Sequence, residues 1–179
     1  MQFNLSETVA VLTRTPAALN SLLRGLPPSW TNATEGTNTW SAFDIVGHLI
    51  HGERTDWIPR TRVILAESGD HVFEPFDRFA QKKASQGKSL EQLLDEFAKL
   101  RQESLTALAA LRLQPRDLER RGKHPQLGEV TLAQLLAGWP VHDLTHLHQL
   151  SRVMASQYRE AVGPWSNFMG VMQCNGHSA

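Results

Sequence analysis

The chain has 179 residues, 41% of them hydrophobic, and its 18 Lys and Arg balance 18 Asp and Glu to a formal net charge of zero. That length is most simply one domain, residues 1–179, with enough chain to bury a real core. The charge balance argues against nucleic-acid and anionic-membrane partners, and the longest apolar runs fall far short of the ~20 residues of a membrane span.

The N-terminal MQFNLSETV carries no charged leader ahead of an apolar core, so it does not read as a secretory signal. Leu5 to Arg24 has helical periodicity in Leu5, Val9, Leu12, Leu19, Leu22 and Leu23. Pro16 interrupts it, and Thr15 before it is placed to cap a fresh turn, so the expectation is a kinked helix or two short ones. Gly25 and Pro27-Pro28 stop it. Thr31 to Thr39 is polar and reads as loop.

Ser41-Ala-Phe-Asp44 has the form of a capping box. The helix it opens carries Ile45, Val46, His48, Leu49, Gly52 and Ile58 and is expected to reach Leu65, disturbed at Pro59. Ser68 to Lys88 reads as irregular, with Phe73, Phe76 and Phe79 packing it onto the body. Ser89-x-x-Gln92 caps a third helix whose stripe is Leu90, Leu93, Leu94, Phe97, Leu100, Leu105, Leu108 and Leu111. Pro115 ends that run, and Gln114 to Val130 is expected to be loop. Thr131-x-x-Gln134 caps a fourth helix, with Pro140 inside it as an expected bend before His142. Gly163-Pro164 sets off a short C-terminal helical piece, Trp165 to Met172. No segment shows useful strand alternation. The expected fold is all-α, an antiparallel four-helix bundle with a short extra C-terminal helix.

The fourth helix contains WPVHDLTHLHQLSRV, with three of the chain's eight histidines. His142 and His146 stand four residues apart, one above the other on a helix face, and share a stripe with Leu135, Trp139, Gln149 and Val153. A buried imidazole needs a partner for each ring nitrogen. Surface exposure, a backbone carbonyl or a metal ion would each account for the pair. Asp143 stands where a zincin has glutamate, one carbon shorter, which argues against that class. His48, also on an apolar stripe, can bring a third imidazole from a facing helix, the way bundles build metal sites in their cores. Three neutral nitrogens suit Zn²⁺, Ni²⁺ or iron and leave coordination positions open.

The other candidates divide by position. His148 leaves the stripe and faces outward. His51 is a turn from His48, either an outer partner or solvated. His124 lies in the loop entering the fourth helix, within reach of the site's mouth. Gln149 shares the histidine stripe and can orient a ligand. Asp143, Glu53 and Asp56 read as solvated helix surface, although Asp143, Glu53 and His124 remain candidates for a general base. His71 and His177 carry no signal. Cys174 alone excludes an internal disulfide framework and fits a reducing, cytoplasmic setting.

HPQLGEVTLAQLLAGWPVHDLTHLHQLSRVMASQYREAVGPW resembles the C-terminal half of DinB-like (YfiT-type) metal-binding proteins, with their HPxLG loop, capped helix and HDxxHxxQ. SAFDIVGHLIHGERTDWIPR is similar to the second helix of that family, and the likeness spans roughly residues 40–165. The resemblance implies an up-down-down-up type of bundle and a divalent metal, Zn²⁺ or Ni²⁺, on His48, His142 and His146. It also implies a small-molecule substrate and commonly a homodimer. The family includes S-transferases and isomerases that use low-molecular-weight thiols. The expectation is therefore a metal-dependent hydrolase or thiol S-transferase. A non-catalytic bundle with a structural or adventitious metal, whose shell His51 would complete, and a metal-free binding scaffold stand as alternatives.

Overall fold

The computed structural model describes residues 3–174. Its helices are α1 (Leu5–Leu12), α2 (Thr15–Leu23), α3 (Pro28–Thr31), α4 (Ala42–Thr55), α5 (Trp57–Leu65), α6 (Ala80–Ala84), α7 (Leu90–Ala110), α8 (Leu132–Ser156) and α9 (Gly170–Gln173). Four columns form the bundle: α1 with α2, α4 with α5, α7, and α8. Capping boxes start the three long helices as expected, at Ser41 with Asp44, Ser89 with Gln92, and Thr131 with Gln134. Each satisfies amide groups that would otherwise lack partners at a helix start. α8 runs through Pro140 without interruption.

Several local expectations are corrected. The first segment is two helices, but Thr15 is the first residue of α2 rather than its cap; the cap position is Arg14, with no side-chain bond. The second helix breaks at Asp56 rather than at Pro59. The physical cause is still Pro59, which has no N–H for the Thr55 carbonyl and whose ring crowds that carbonyl, so the chain turns one helical step earlier. Phe73 is buried and Phe76 half-buried, but Phe79 is 57% exposed. The stretch expected to be irregular also contains α6, packed on α4 where Gly47 lets Ser85 approach. The C-terminal piece divides into a 3₁₀ turn, Gly163–Phe168, and α9. His177 lies outside the described residues.

The expected loop from Gln114 to Val130 holds a 3₁₀ turn, Pro115–Glu119, and then a hairpin of β1 (Arg121–His124) and β2 (Gly128–Thr131). The strands pair antiparallel from Arg121 opposite Thr131 to His124 opposite Gly128. Four-residue strands are too short to show a two-residue period. The signal that was present is the three-residue loop closed by Gly128 at φ +74°, a left-handed position that suits a hairpin of this length. Val72 bridges to Lys123, which ties the 68–79 segment to the hairpin.

The core is two apolar clusters. One gathers Leu19, Leu49, Phe97 and Leu150 with their neighbours; the other gathers Leu12, Trp57, Leu108 and Trp139. Each bundle column passes from one cluster to the other through a buried polar residue: Thr15, Glu53, Arg101 and Asp143. That polar belt lies beside the histidines.

Candidate metal centre

His48 on α4 and His142 and His146 on α8 come together as the spacing suggested, with one ligand atom from each within 4.8 Å of the others. The Nε2 atom of His142 lies 3.1 Å from His48 Nε2 and 3.2 Å from His146 Nε2. Two imidazole nitrogens bound tetrahedrally at 2.0–2.1 Å from one ion stand ~3.3 Å apart, so the spacing suits a shared cation.

Proton placement gives an independent test of fit. His146 Nδ1 bonds Gln149 Oε1 at 2.8 Å. The amide oxygen can only accept, so Nδ1 carries the proton and Nε2 of His146 presents a lone pair. A proton on His142 Nε2 can point at only one of its two nitrogen neighbours. One contact between lone pairs or N–H groups therefore remains, and a cation at the point of convergence relieves both. Burial, strengthened by His146 and His142, pushes the His48 pKa down to about 2. Burial, with His146 and Arg101, pushes that of His142 down to about 3. Burial also lowers His146, outweighing the Gln149 bond and Asp143 that favour its charged form. All three rings are thus neutral at pH 7, the state a metal requires.

The belt behind them is the main feature not read from the sequence. Arg101 on α7 is buried to 1% exposure and uses its five N–H groups on Glu53, Asp143 and the Leu12 carbonyl. Trp139 Nε1 donates to Glu53 Oε1 at 3.0 Å, and the Thr15 hydroxyl donates to Asp143 Oδ2 at 2.6 Å. Glu53 and Asp143 are therefore buried ion-pair partners, not solvated surface; Asp56 is half-buried and paired with Arg60. The stripes were visible, with Trp139, Asp143, His146 and Leu150 on one and Leu49, Glu53 and Trp57 on another, but a stripe alone does not say whether a charge on it is solvated or buried. One guanidinium against two carboxylates leaves an excess negative charge beside the neutral histidines, which complements a divalent ion. Glu53 Oε2 is buried without a hydrogen-bond partner.

A pocket of about 440 Å³ opens over the three histidines. Trp40, Phe76, Pro75 and Pro125 form apolar wall, and Arg60, Arg78, His124, Thr145 and Gln149 add polar groups. Trp40 was not singled out from the sequence; its ring lies 4.8 Å from that of His48. His51 packs on Phe76 and stays outside the cluster, as does His124, which lines the pocket. His148 is exposed. Cys174 is exposed, well apart in sequence from every group at the site.

A family model described as the DinB superfamily matches residues 12–150. No curated protein matches the chain. Among solved structures, the fold is similar to YfiT from Bacillus subtilis, described as "a probable metal-dependent hydrolase with an unusual four-helix bundle topology". The TM-score is 0.64 at 19% identity, over 84% of this chain and 87% of that one. It is also similar to TT2238, described as a four-helix bundle protein, with a TM-score of 0.56 and 22% identity over 82% of this chain and 98% of the other. At these identities the two structures bear on the fold.

Proposed function

The chain belongs to the DinB superfamily, and from that premise we propose that it is a metal-dependent enzyme, a hydrolase or a low-molecular-weight-thiol S-transferase acting on a small molecule. The observation that carries the reading is the convergence of three neutral imidazole nitrogens at the floor of a pocket. Among the described residues the group has three members, and a structural zinc site would be closed by a fourth. His48, His142 and His146 would hold Zn²⁺ or Ni²⁺. An ion so placed supplies Lewis acidity, which lowers the pKa of a water or thiol enough to make it a nucleophile at neutral pH.

The chain's own groups do the rest. Gln149 fixes the ring of His146 and its tautomer. The Arg101 belt holds α4, α7 and α8 in register, so that ligands from two helices meet. Trp40 and Phe76 pack against the His48 ring and exclude water from it. The description of YfiT as a hydrolase favours hydrolysis, while the family resemblance favours thiol transfer. Exposed Val141, Leu144, Trp165 and Phe168 offer apolar area for the contact of a homodimer. No helix is long and apolar enough to cross a membrane, and the cytoplasmic setting suggested by the lone cysteine is part of the same proposal.

Metal analysis of protein purified without a histidine tag tests the reading. About one divalent ion per chain is expected in the wild type and a loss of it in His142→Ala. Equal, sub-stoichiometric metal in both would overturn it and favour a metal-free scaffold.

A further inference from the structure

Two nitrogen groups in the pocket wall have no part in holding a metal. The first is His124, at the end of β1. Its Nδ1 accepts the backbone N–H of Gln126 at 3.1 Å and of Leu127 at 3.2 Å. A neutral imidazole has one N–H, so with Nδ1 accepting, the proton is on Nε2. Burial and the charge of Arg60 keep the ring in its neutral form. His124 therefore meets the pocket as a hydrogen-bond donor, and it has no free lone pair with which to act as a general base. The hairpin loop that sets this tautomer also places the ring, which packs edge-on against Phe73.

The second group is Arg78. It lines the pocket, and its charge acts on both His48 and His146. Arg60, the other cation in the wall, is spent on Asp56, with Nε 2.5 Å from Oδ1, and lies over the Phe73 ring. Among the described residues, Asp56 and Arg60 of the pocket lining pair with each other, and Arg78 is the charged lining residue with no hydrogen bond or ion pair to another described residue. A guanidinium and an N–H donor that line one pocket, with apolar wall between the other polar groups, suit an oxyanion rather than a neutral or cationic group.

We propose that the pocket takes a small molecule bearing a carboxylate, held by the Arg78 guanidinium and the His124 Nε2–H, with its reacting end directed toward the three histidines. This rests on the reading of the pocket as a metal-dependent active site, which the experiment tests separately. Butyrate and its neutral isostere butyramide are titrated calorimetrically into zinc-loaded and chelator-treated protein, as wild type, Arg78→Gln and Arg78→Lys. Butyrate is expected to bind in preference to butyramide. Arg78→Gln should weaken butyrate about tenfold while leaving zinc content and butyramide binding unchanged, and Arg78→Lys should restore part of the loss. Nitrogen-detected NMR of His124 should show the Nε2–H tautomer. Butyrate binding equally to wild type and Arg78→Gln with zinc intact would overturn the proposal, because the carboxylate would then sit on the metal alone; an Nδ1–H tautomer at His124 would also overturn it. Arg78-dependent butyrate binding by a wild type that holds no zinc would support the anion site and remove the metal reading instead.

Discussion

Arg101 on α7 grips Asp143 on α8 through two parallel bonds, Nη1 to Oδ2 at 2.6 Å and Nη2 to Oδ1 at 3.0 Å, one residue from the candidate ligand His142. The same guanidinium reaches Glu53, five residues after His48. Both helices that contribute imidazoles are thus clamped to a third at the level of the site. A buried charge network of this kind is costly to assemble and more costly to break, because removing one member leaves the others desolvated and unpaired.

Arg101→Leu should therefore lower unfolding stability by ~3–5 kcal/mol, which urea denaturation followed by circular dichroism would measure. Replacing Glu53 and Asp143 by apolar residues in the same chain should return much of that loss, since no unpaired carboxylate then remains. A single Arg101→Leu variant as stable as wild type would mean that water or another cation satisfies the carboxylates.

Gln149 offers a narrower test. Its amide oxygen takes the His146 Nδ1 proton and so fixes the nitrogen that faces the cluster. Outer partners of ligating histidines typically contribute 10–100-fold in metal affinity. Gln149→Leu, close in size, is expected to weaken zinc binding by roughly that factor in a competition titration with a chromophoric chelator. Unchanged affinity would show that the ring is oriented by packing alone.

The histidines also make stability depend on pH. Burial lowers the folded-state pKa of His48 to about 2 and of His142 to about 3, from an ordinary 6.5. Between those values and 6.5 the unfolded chain binds more protons than the folded one, so stability falls as pH falls below 6.5 and is fully present above it. Each ring contributes a slope of ~1.4 kcal/mol per pH unit in that window. Denaturation of the chelator-treated protein at pH 7, 6 and 5 should show the decline, and His142→Leu should flatten it. Zinc should raise the curve most at pH 7, where proton competition for the nitrogens is weakest. A profile identical in wild type and His142→Leu would count against the burial argument.

How far the sequence could be read follows from what each residue needs. His48, His142 and His146 were legible because an imidazole on an apolar stripe demands a partner and helical spacing names the face. The helix starts were legible because a capping box is local, with both members within three residues. Arg101, Glu53 and Asp143 were not, because a charged residue on a stripe has two opposite outcomes. It reaches solvent at the rim, or it is buried against an opposite charge from another helix, and the partner is 42 or more residues away. The hairpin was missed for a related reason: its pairing is fixed by a left-handed Gly128 and by Val72 docking on Lys123, neither of which has a periodic signature. Pro59 was correctly seen as disruptive, but its effect appears at Asp56 because the ring acts on the carbonyl four residues back.

Gly122 shows how closely that hairpin is fitted to the bundle. A Cβ there would lie 2.6 Å from Phe73 Cε1 and 2.8 Å from Ile64 Cγ1, both on buried side chains that cannot swing away. Gly122→Ala should therefore cost ~1–3 kcal/mol by overpacking. It should also displace β1, and with it His124, two residues further along. Gly138 makes the contrast: it is exposed on α8, and a Cβ would meet nothing within 4 Å. Gly138→Ala should stabilise by ~0.5–1 kcal/mol, the usual gain in a helix interior. Thermal melts of the two variants should shift in opposite directions, while zinc content stays at the wild-type level in both because neither touches the imidazoles. If Gly122→Ala melts with wild type, β1 is not held against Phe73 and Ile64, and the placement of His124 over the pocket loses its structural support.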